Sequence, residues 1–411
     1  MRRSMPIFLI ALAAFLLLGF ISFGGFGRPD SQSKSGRTDN TATTSTSDAK
    51  GASPTKYNIY IENSGSMKGY FSGNSSSALE TIIHDYYDRL TSENIVDGDT
   101  VTLNYINTQK VDSKQNITGY LSTAQSKCTE KYTKIDDILD MAMANASKKT
   151  VNIVISDYSF ESDQGNYETA QSTINKLFTN RLNINSNLTV AILKYEVGFN
   201  GLYYPGGLKC KQDLPVYFWI FGDAERVKKV LALNVKASTE NTLLLQLNKD
   251  VPFELNAFNK RAIHNNEIVV KELSKERNSG GGCSRNESSP IYKFDITMDL
   301  SESILSDNDI KAKSNYSITS TSSSNYSIES IKNNGSKYTF VITTDKPSPG
   351  ELTIKFALNL PQWVDNSNFE GNGIPSKGKT SGIKYLIGGV YDAYYNKDTA
   401  KSYFTAKINL K

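Results

Sequence analysis

Cysteine and histidine are scarce in this chain of 411 residues, which has three of the first and two of the second. Cys128, Cys210 and Cys283 lie far apart, with neither C-x-x-C nor Cys/His zinc spacing, so no metal site is built on sulfur. Outside the cytoplasm one disulfide with one free thiol is open to the chain. Buried thiols are the alternative, and the spacing selects no pair. His84 falls on a helical pattern beside Asp85, and His264 has no acid and nucleophile arranged around it. No Ser/His/Asp or Cys/His constellation can be assembled, so the chain reads as a non-enzyme. Strong charge of either sign is also missing. The formal net charge is +4 with both signs spread along the sequence, and no basic stripe points to nucleic acid.

What is present begins with an apolar run. Met5 to Phe26 carries no charge and slightly exceeds the roughly 20 residues that span a bilayer as a helix. An uncleaved anchor over residues 1–28 is expected. A secretory signal peptide is the competing reading, but its apolar region is usually about 7–15 residues and no A-x-A-like cleavage site follows. Arg2 and Arg3 favour a cytoplasmic start, against Arg28, Lys34 and Arg37 on the far side, so the folded domains are expected outside the cytoplasm on a single-pass protein. Residues 29–54 are rich in Ser and Thr with almost no large apolar side chain, the composition of a disordered tether. As a flexible coil of about 26 residues it would span roughly 25–30 Å.

Residues 55–237 alternate strands with amphipathic helices. Tyr57, Ile59 and Ile61 suit a buried strand that stops at Glu62, and Asn63, Ser64 and Gly65 favour a turn. Helical spacing follows at Leu79–Leu90, a strand at Thr100–Ile106, a helix at Ile135–Ala146, a strand at Val151–Ile155 and a helix at Tyr167–Phe178. Strands at Leu188–Val197 and Pro215–Phe221 are joined by the glycine- and tyrosine-rich segment Gly198–Gly207. Asp223 is positioned to cap a last helix. This order predicts an α/β fold, a doubly wound and mostly parallel sheet covered on both faces. Ligands of such sheets bind at the carboxyl ends of the strands. Glu62, Ser64 and Ser66 lie there, as do Thr133, just before a helix, and Asp157, just after a strand. Three hydroxyls and two carboxylates are hard ligands that suit Mg2+, Mn2+ or Ca2+.

Here the chain resembles the von Willebrand factor type A domain, whose metal-ion-dependent adhesion site uses an Asp-x-Ser-x-Ser loop, a distant Thr and a distant Asp. Glu62-Asn63-Ser64-Gly65-Ser66-Met67 stands at the loop, Thr133 at the Thr position and Asp157, after VNIVIS, at the second acid. The resemblance covers roughly Tyr57 to Leu233. It implies a Rossmann-like domain whose hydroxyls bind the ion directly and whose carboxylates act largely through water. It also implies a protein partner that completes the shell with an acidic side chain. Glu62 departs from the pattern, since the family has Asp there. The extra methylene is expected to disfavour Mg2+, which demands near-ideal octahedral geometry, more than Ca2+.

In residues 238–411 alternation replaces helical periodicity. Leu352, Ile354, Phe356, Leu358 and Leu360 share one strand face. Asn333-Asn334-Gly335-Ser336 marks a hairpin, and Phe404–Leu410 is a closing strand. A β-sandwich-like domain is expected, crossed by one helix at Ile383–Tyr394. Asn278–Ser289 reads as an exposed loop. The function expected of the whole is a membrane-tethered protein that binds a protein partner through a divalent cation. The alternative is a structural or assembly subunit of an envelope complex with a vestigial metal site. A hydrolase using Asp157 or Glu62 on metal-bound water ranks last, for want of a substrate pocket or a general acid.

Overall fold

Strand β1 (Lys56–Glu62) is buried at every residue after Lys56. A strand covered on both faces in this way belongs to the middle of a parallel arrangement. It pairs in parallel with β2 (Thr100–Ile106) on one side and β4 (Thr150–Ser156) on the other, with Ile61 opposite Tyr105 and Ile155. One polar row crosses the three strands. Thr102 Oγ1 donates to Asn58 Oδ1 at 2.6 Å, Asn58 Nδ2 to Asn152 Oδ1 at 2.7 Å, and Asn152 Nδ2 to the Ala142 carbonyl at 2.5 Å. Asn152, the one polar residue inside an apolar strand, is thereby satisfied, and a one-residue slip of any strand would break the row.

The computed structural model describes residues 54–411 except 74–75, 93–97, 148, 161–165, 205, 236–240, 248–250, 277–289, 302, 357, 372 and 396–401. The expected anchor, almost all of the tether, Cys283 and the Asn278–Ser289 loop lie outside the described residues. Among the described residues no helix is long and apolar enough to cross a membrane.

With β3 (Lys110–Asp112), β5 (Thr189–Tyr203), β6 (Leu208–Gly222) and β7 (Thr242–Leu245), the first sheet has seven strands in the order β3-β2-β1-β4-β6-β5-β7. β1, β2, β4 and β5 point one way and the other strands the opposite way. Helices α1 (Ala78–Ser92) and α2 (Ile117–Lys127) cover one face, α3 (Ile135–Ala144) and α4 (Tyr167–Ile184) the other, and α5 (Ala224–Ala232) returns to the first. From β1 the chain goes first to β2 and later, across β1, to β4. The carboxyl ends of β1 and β4 therefore flank the point where the winding reverses.

Two features correct the sequence reading. The Gly198–Gly207 segment is not a connecting loop. β5 and β6 form one continuous hairpin from the Thr189–Gly222 pair to the Tyr203–Leu208 pair. Val197, Phe199 and Tyr203 are buried while Gly198, Asn200 and Leu202 are exposed, so strand alternation continues through the glycines. Gly206 and Gly207, at φ 103° and 61°, supply the turn. A hairpin needs no crossover helix, so β6 runs antiparallel beside β4. Second, β7 comes from beyond residue 237. It buries Leu243 and Leu245 along the far edge of β5, so the first sheet draws a strand from the second half.

The rest of the chain contributes β8 (Phe253–Asn256), β9 (Ile263–His264), β10 (Glu267–Ile268), β11 (Lys275–Glu276), β12 (Ile291–Asp299) and α6 (Asp307–Lys311). Then come β13 (Tyr316–Ser320), β14 (Ser327–Asn334), β15 (Lys337–Thr344), β16 (Gly350–Phe356) and α7 (Gln362–Asn366), followed by β17 (Asn368–Phe369), β18 (Thr380–Ser381), α8 (Ile383–Tyr394) and β19 (Phe404–Leu410). Two mainly antiparallel sheets result, β13-β16-β19-β10-β9 and β11-β12-β15-β14, with β8 on β12. They share a core in which Tyr316 of one stands edge-on to Phe340 of the other, ring centroids 5.4 Å apart. Helix α8 joins the halves. Tyr391 donates to the Leu358 carbonyl at 2.7 Å, and Tyr394 reaches the Leu188 carbonyl at 2.9 Å. Gly388 and Gly389 press against Gln171 of α4. Residues 51–411 form one compact unit.

Candidate functional site

β1 and β2 end in register, Glu62 opposite Ile106, so Asn63 and Asn107 leave the sheet together, with Asp157 following β4 one strand away. The loop after Glu62 winds into a 3-10 helix at Gly65–Tyr70. It is fixed from the side by Glu130, whose N–H donates to the Asn63 carbonyl at 3.1 Å and whose carbonyl accepts from Gly65 N–H at 2.8 Å. Glu62, Ser64, Ser66 and Asp157 are all buried.

These four residues form one chain of contacts. Ser64 donates to Glu62 twice, from its backbone N–H to Oε1 at 2.6 Å and from Oγ to Oε2 at 2.9 Å. Ser64 Oγ lies 2.9 Å from Ser66 Oγ, and the Ser66 hydroxyl bonds the Asp157 carboxyl. Thr133 lines the same cavity of about 550 Å3 as Ser64 and Ser66, with Lys131, Tyr132 and Lys134 at its rim. Its hydroxyl makes no hydrogen bond among the described residues.

Asn107 belongs to the site although the sequence reading passed over it. Its Nδ2 donates to Glu62 Oε1 at 3.2 Å and to the Tyr132 carbonyl at 2.9 Å, while its Oδ1 accepts from Lys134 N–H at 3.1 Å. It ties the acid of β1 to the segment carrying Thr133. The available signal was its position, one residue past a strand end at the same edge as Glu62. Tyr158 was also missed. It is fully buried at φ 47°, stacked on Trp219 with centroids 4.7 Å apart, and its hydroxyl has no partner among the described residues. A tyrosine held in the left-handed region stores strain, which accumulates at functional sites.

Burial pushes the Glu62 carboxyl up to about 8, and the nearby charge of Asp157 pushes in the same direction against the bonds from Ser64 and Ser156. Burial also raises Asp157, opposed by bonds from Ser159 and Ser66. Neither acid has an ion-pair partner among the described residues. Two buried carboxyls without a cation carry a large desolvation cost, which a proton or a metal ion relieves. The donor set therefore fits a hard cation: two carboxyls, two serine hydroxyls joined to them and a threonine at the same cavity. Among the described residues no cluster of three or more His, Cys, Asp or Glu offers a metal site of another kind. No family model matches the chain, and no curated protein or solved structure matches it.

Proposed function

We propose that this protein is a membrane-tethered, non-enzymatic binding protein of the von Willebrand factor type A kind, with its folded domains outside the cytoplasm. Its second half is read as a β-sandwich that serves as spacer or further contact surface. The observation that carries the reading is the link between two buried carboxyls, Glu62 and Asp157, through the hydroxyls of Ser64 and Ser66, at the reversal point of the sheet. Ser64, Ser66 and Thr133 would hold a divalent cation with Glu62 and Asp157 beside them. When bound, the ion supplies positive charge to an acidic side chain of a protein partner. The order β3-β2-β1-β4 agrees with a doubly wound sheet, whereas the β5–β6 hairpin departs from it.

The test is thermal unfolding of the full-length chain with Mg2+, Mn2+ or Ca2+ and with chelator. The expected result is stabilisation by at least one ion, which the Ser64→Ala, Ser66→Ala double variant loses while keeping its fold. An identical ion response in that variant would overturn the site.

A second reading has its own support. The Glu62 oxygens are already engaged by Ser64 and Asn107, as expected of a structural subunit whose metal site is vestigial. It predicts no divalent-ion binding at millimolar concentration in calorimetry.

A further inference from the structure

We propose that the lysine-lined hollow beneath the β5–β6 arm is a second docking site, which takes an acidic peptide segment of a protein partner. The proposal rests on the reading of the chain as a binding protein, but not on the cation.

Past Tyr195 the hairpin rises from the sheet and lies against the 3-10 helix. The backbones meet at Gly69 and Gly201, and Tyr70 stands edge-on to Phe199 with centroids 4.8 Å apart. Between the arm, the 3-10 helix and the end of α2 is a cavity of about 870 Å3. Lys68, Lys209 and Lys211 line it, and among the described residues its lining contains no acidic residue. All three lysines are exposed and have no ion pair among the described residues. At the tip of the arm Leu202 and Leu208 are each 44 % exposed, beside the half-exposed Tyr204.

Charge complementarity therefore selects an anionic occupant, and the two leucines select one that also carries apolar groups. A small anion would leave Leu202 and Leu208 unused. The cavity adjoins the cation cavity through Tyr204, which lines both, and Lys131 and Lys134 continue the positive rim there. An extended chain with acidic and apolar side chains matches this run of surface.

The test is fluorescence anisotropy of the full-length protein, in chelator, with a labelled peptide of about ten residues alternating Glu and Leu, about 33 Å long when extended. A Gln/Leu peptide of equal length and inorganic polyphosphate are the comparison probes. The Glu/Leu peptide is expected to bind, to weaken with added salt, and to lose at least about tenfold in affinity when Lys68, Lys209 and Lys211 are changed to Glu. Should the Lys→Glu set fail to fold, the Lys→Gln set, checked by circular dichroism, carries the same expectation. The Ser64→Ala, Ser66→Ala variant is expected to bind the peptide as wild type does, which separates this site from the cation. Undiminished binding by the lysine variants, equal binding of the Gln/Leu peptide, or equal binding of polyphosphate would each overturn the assignment.

Discussion

Ser64 Oγ lies 2.9 Å from Ser66 Oγ and 2.9 Å from Glu62 Oε2, so one hydroxyl joins the strand-end acid to the hydroxyl that holds Asp157. Burial raises both acids, Glu62 to about 8 with the charge of Asp157 pushing the same way.

The first prediction concerns pH. Glu62 is raised in the fold from 4.5 to about 8, so the folded state holds a proton that the unfolded chain releases. That contribution to stability is fully present below about 4.5 and is lost as pH rises through about 8. In chelator the melting temperature should fall across this window. A bound divalent cation, which prefers the charged acid, should flatten the curve and release a proton on binding below pH 8. Melting curves and calorimetry in buffers of different ionisation enthalpy measure the two effects.

The second concerns the length of Glu62. Its carboxyl curls back to the Ser64 N–H and to Asn107, a reach that Glu62→Asp shortens. The ion-free protein is expected to lose about 1–3 kcal/mol, while Mg2+ binding should tighten relative to Ca2+. Denaturant unfolding and titration of both ions read the outcome. An Asp variant that binds Mg2+ no better than the parent would mean that the loop has adapted to Glu.

A third prediction addresses the arm. A Cβ on Gly201 would lie 2.7 Å from the Gly69 Cα, a backbone atom that cannot step aside alone. Gly201→Ala is expected to cost about 1–3 kcal/mol by overpacking and to lift the hairpin off the 3-10 helix. Faster hydrogen exchange along Phe199–Tyr203 would report the lifting.

The fourth addresses the join between the halves. A Cβ on Gly389 would meet the Gln171 carbonyl at 2.5 Å and Ile174 Cβ at 3.0 Å. Gly389→Ala should destabilise by about 1–3 kcal/mol and split one unfolding transition into two. A single transition at the parent midpoint would exclude the contact as the coupling between the halves.

Much of the fold is legible because its elements are long and strongly periodic. Thr100–Ile106, Ile383–Tyr394 and Phe404–Leu410 match in both bounds. Helix α2 is not legible, since Ile117, Tyr120, Leu121 and Ala124 give it a narrow apolar face among Ser, Thr, Gln and Gly. The upper arm was obscured by its own composition. Gly198 and Gly201 argue for a loop by propensity, whereas close approach to Gly69 requires glycine in a strand. At the site the motif gave the acids and hydroxyls, but the role of Asn107 depends on pairing two strands that lie 44 residues apart in sequence.

Trp219, one of two tryptophans in the chain, is fully buried, its indole N–H has no partner among the described residues, and its ring stacks on Tyr158, the residue directly after Asp157. A shift of the Asp157 backbone would carry the neighbouring tyrosine ring, which stacks on the indole with centroids 4.7 Å apart. With Trp363, the other tryptophan, changed to Phe, the protein would carry its own optical reporter: the emission of Trp219 would follow events at the sheet edge without any attached dye.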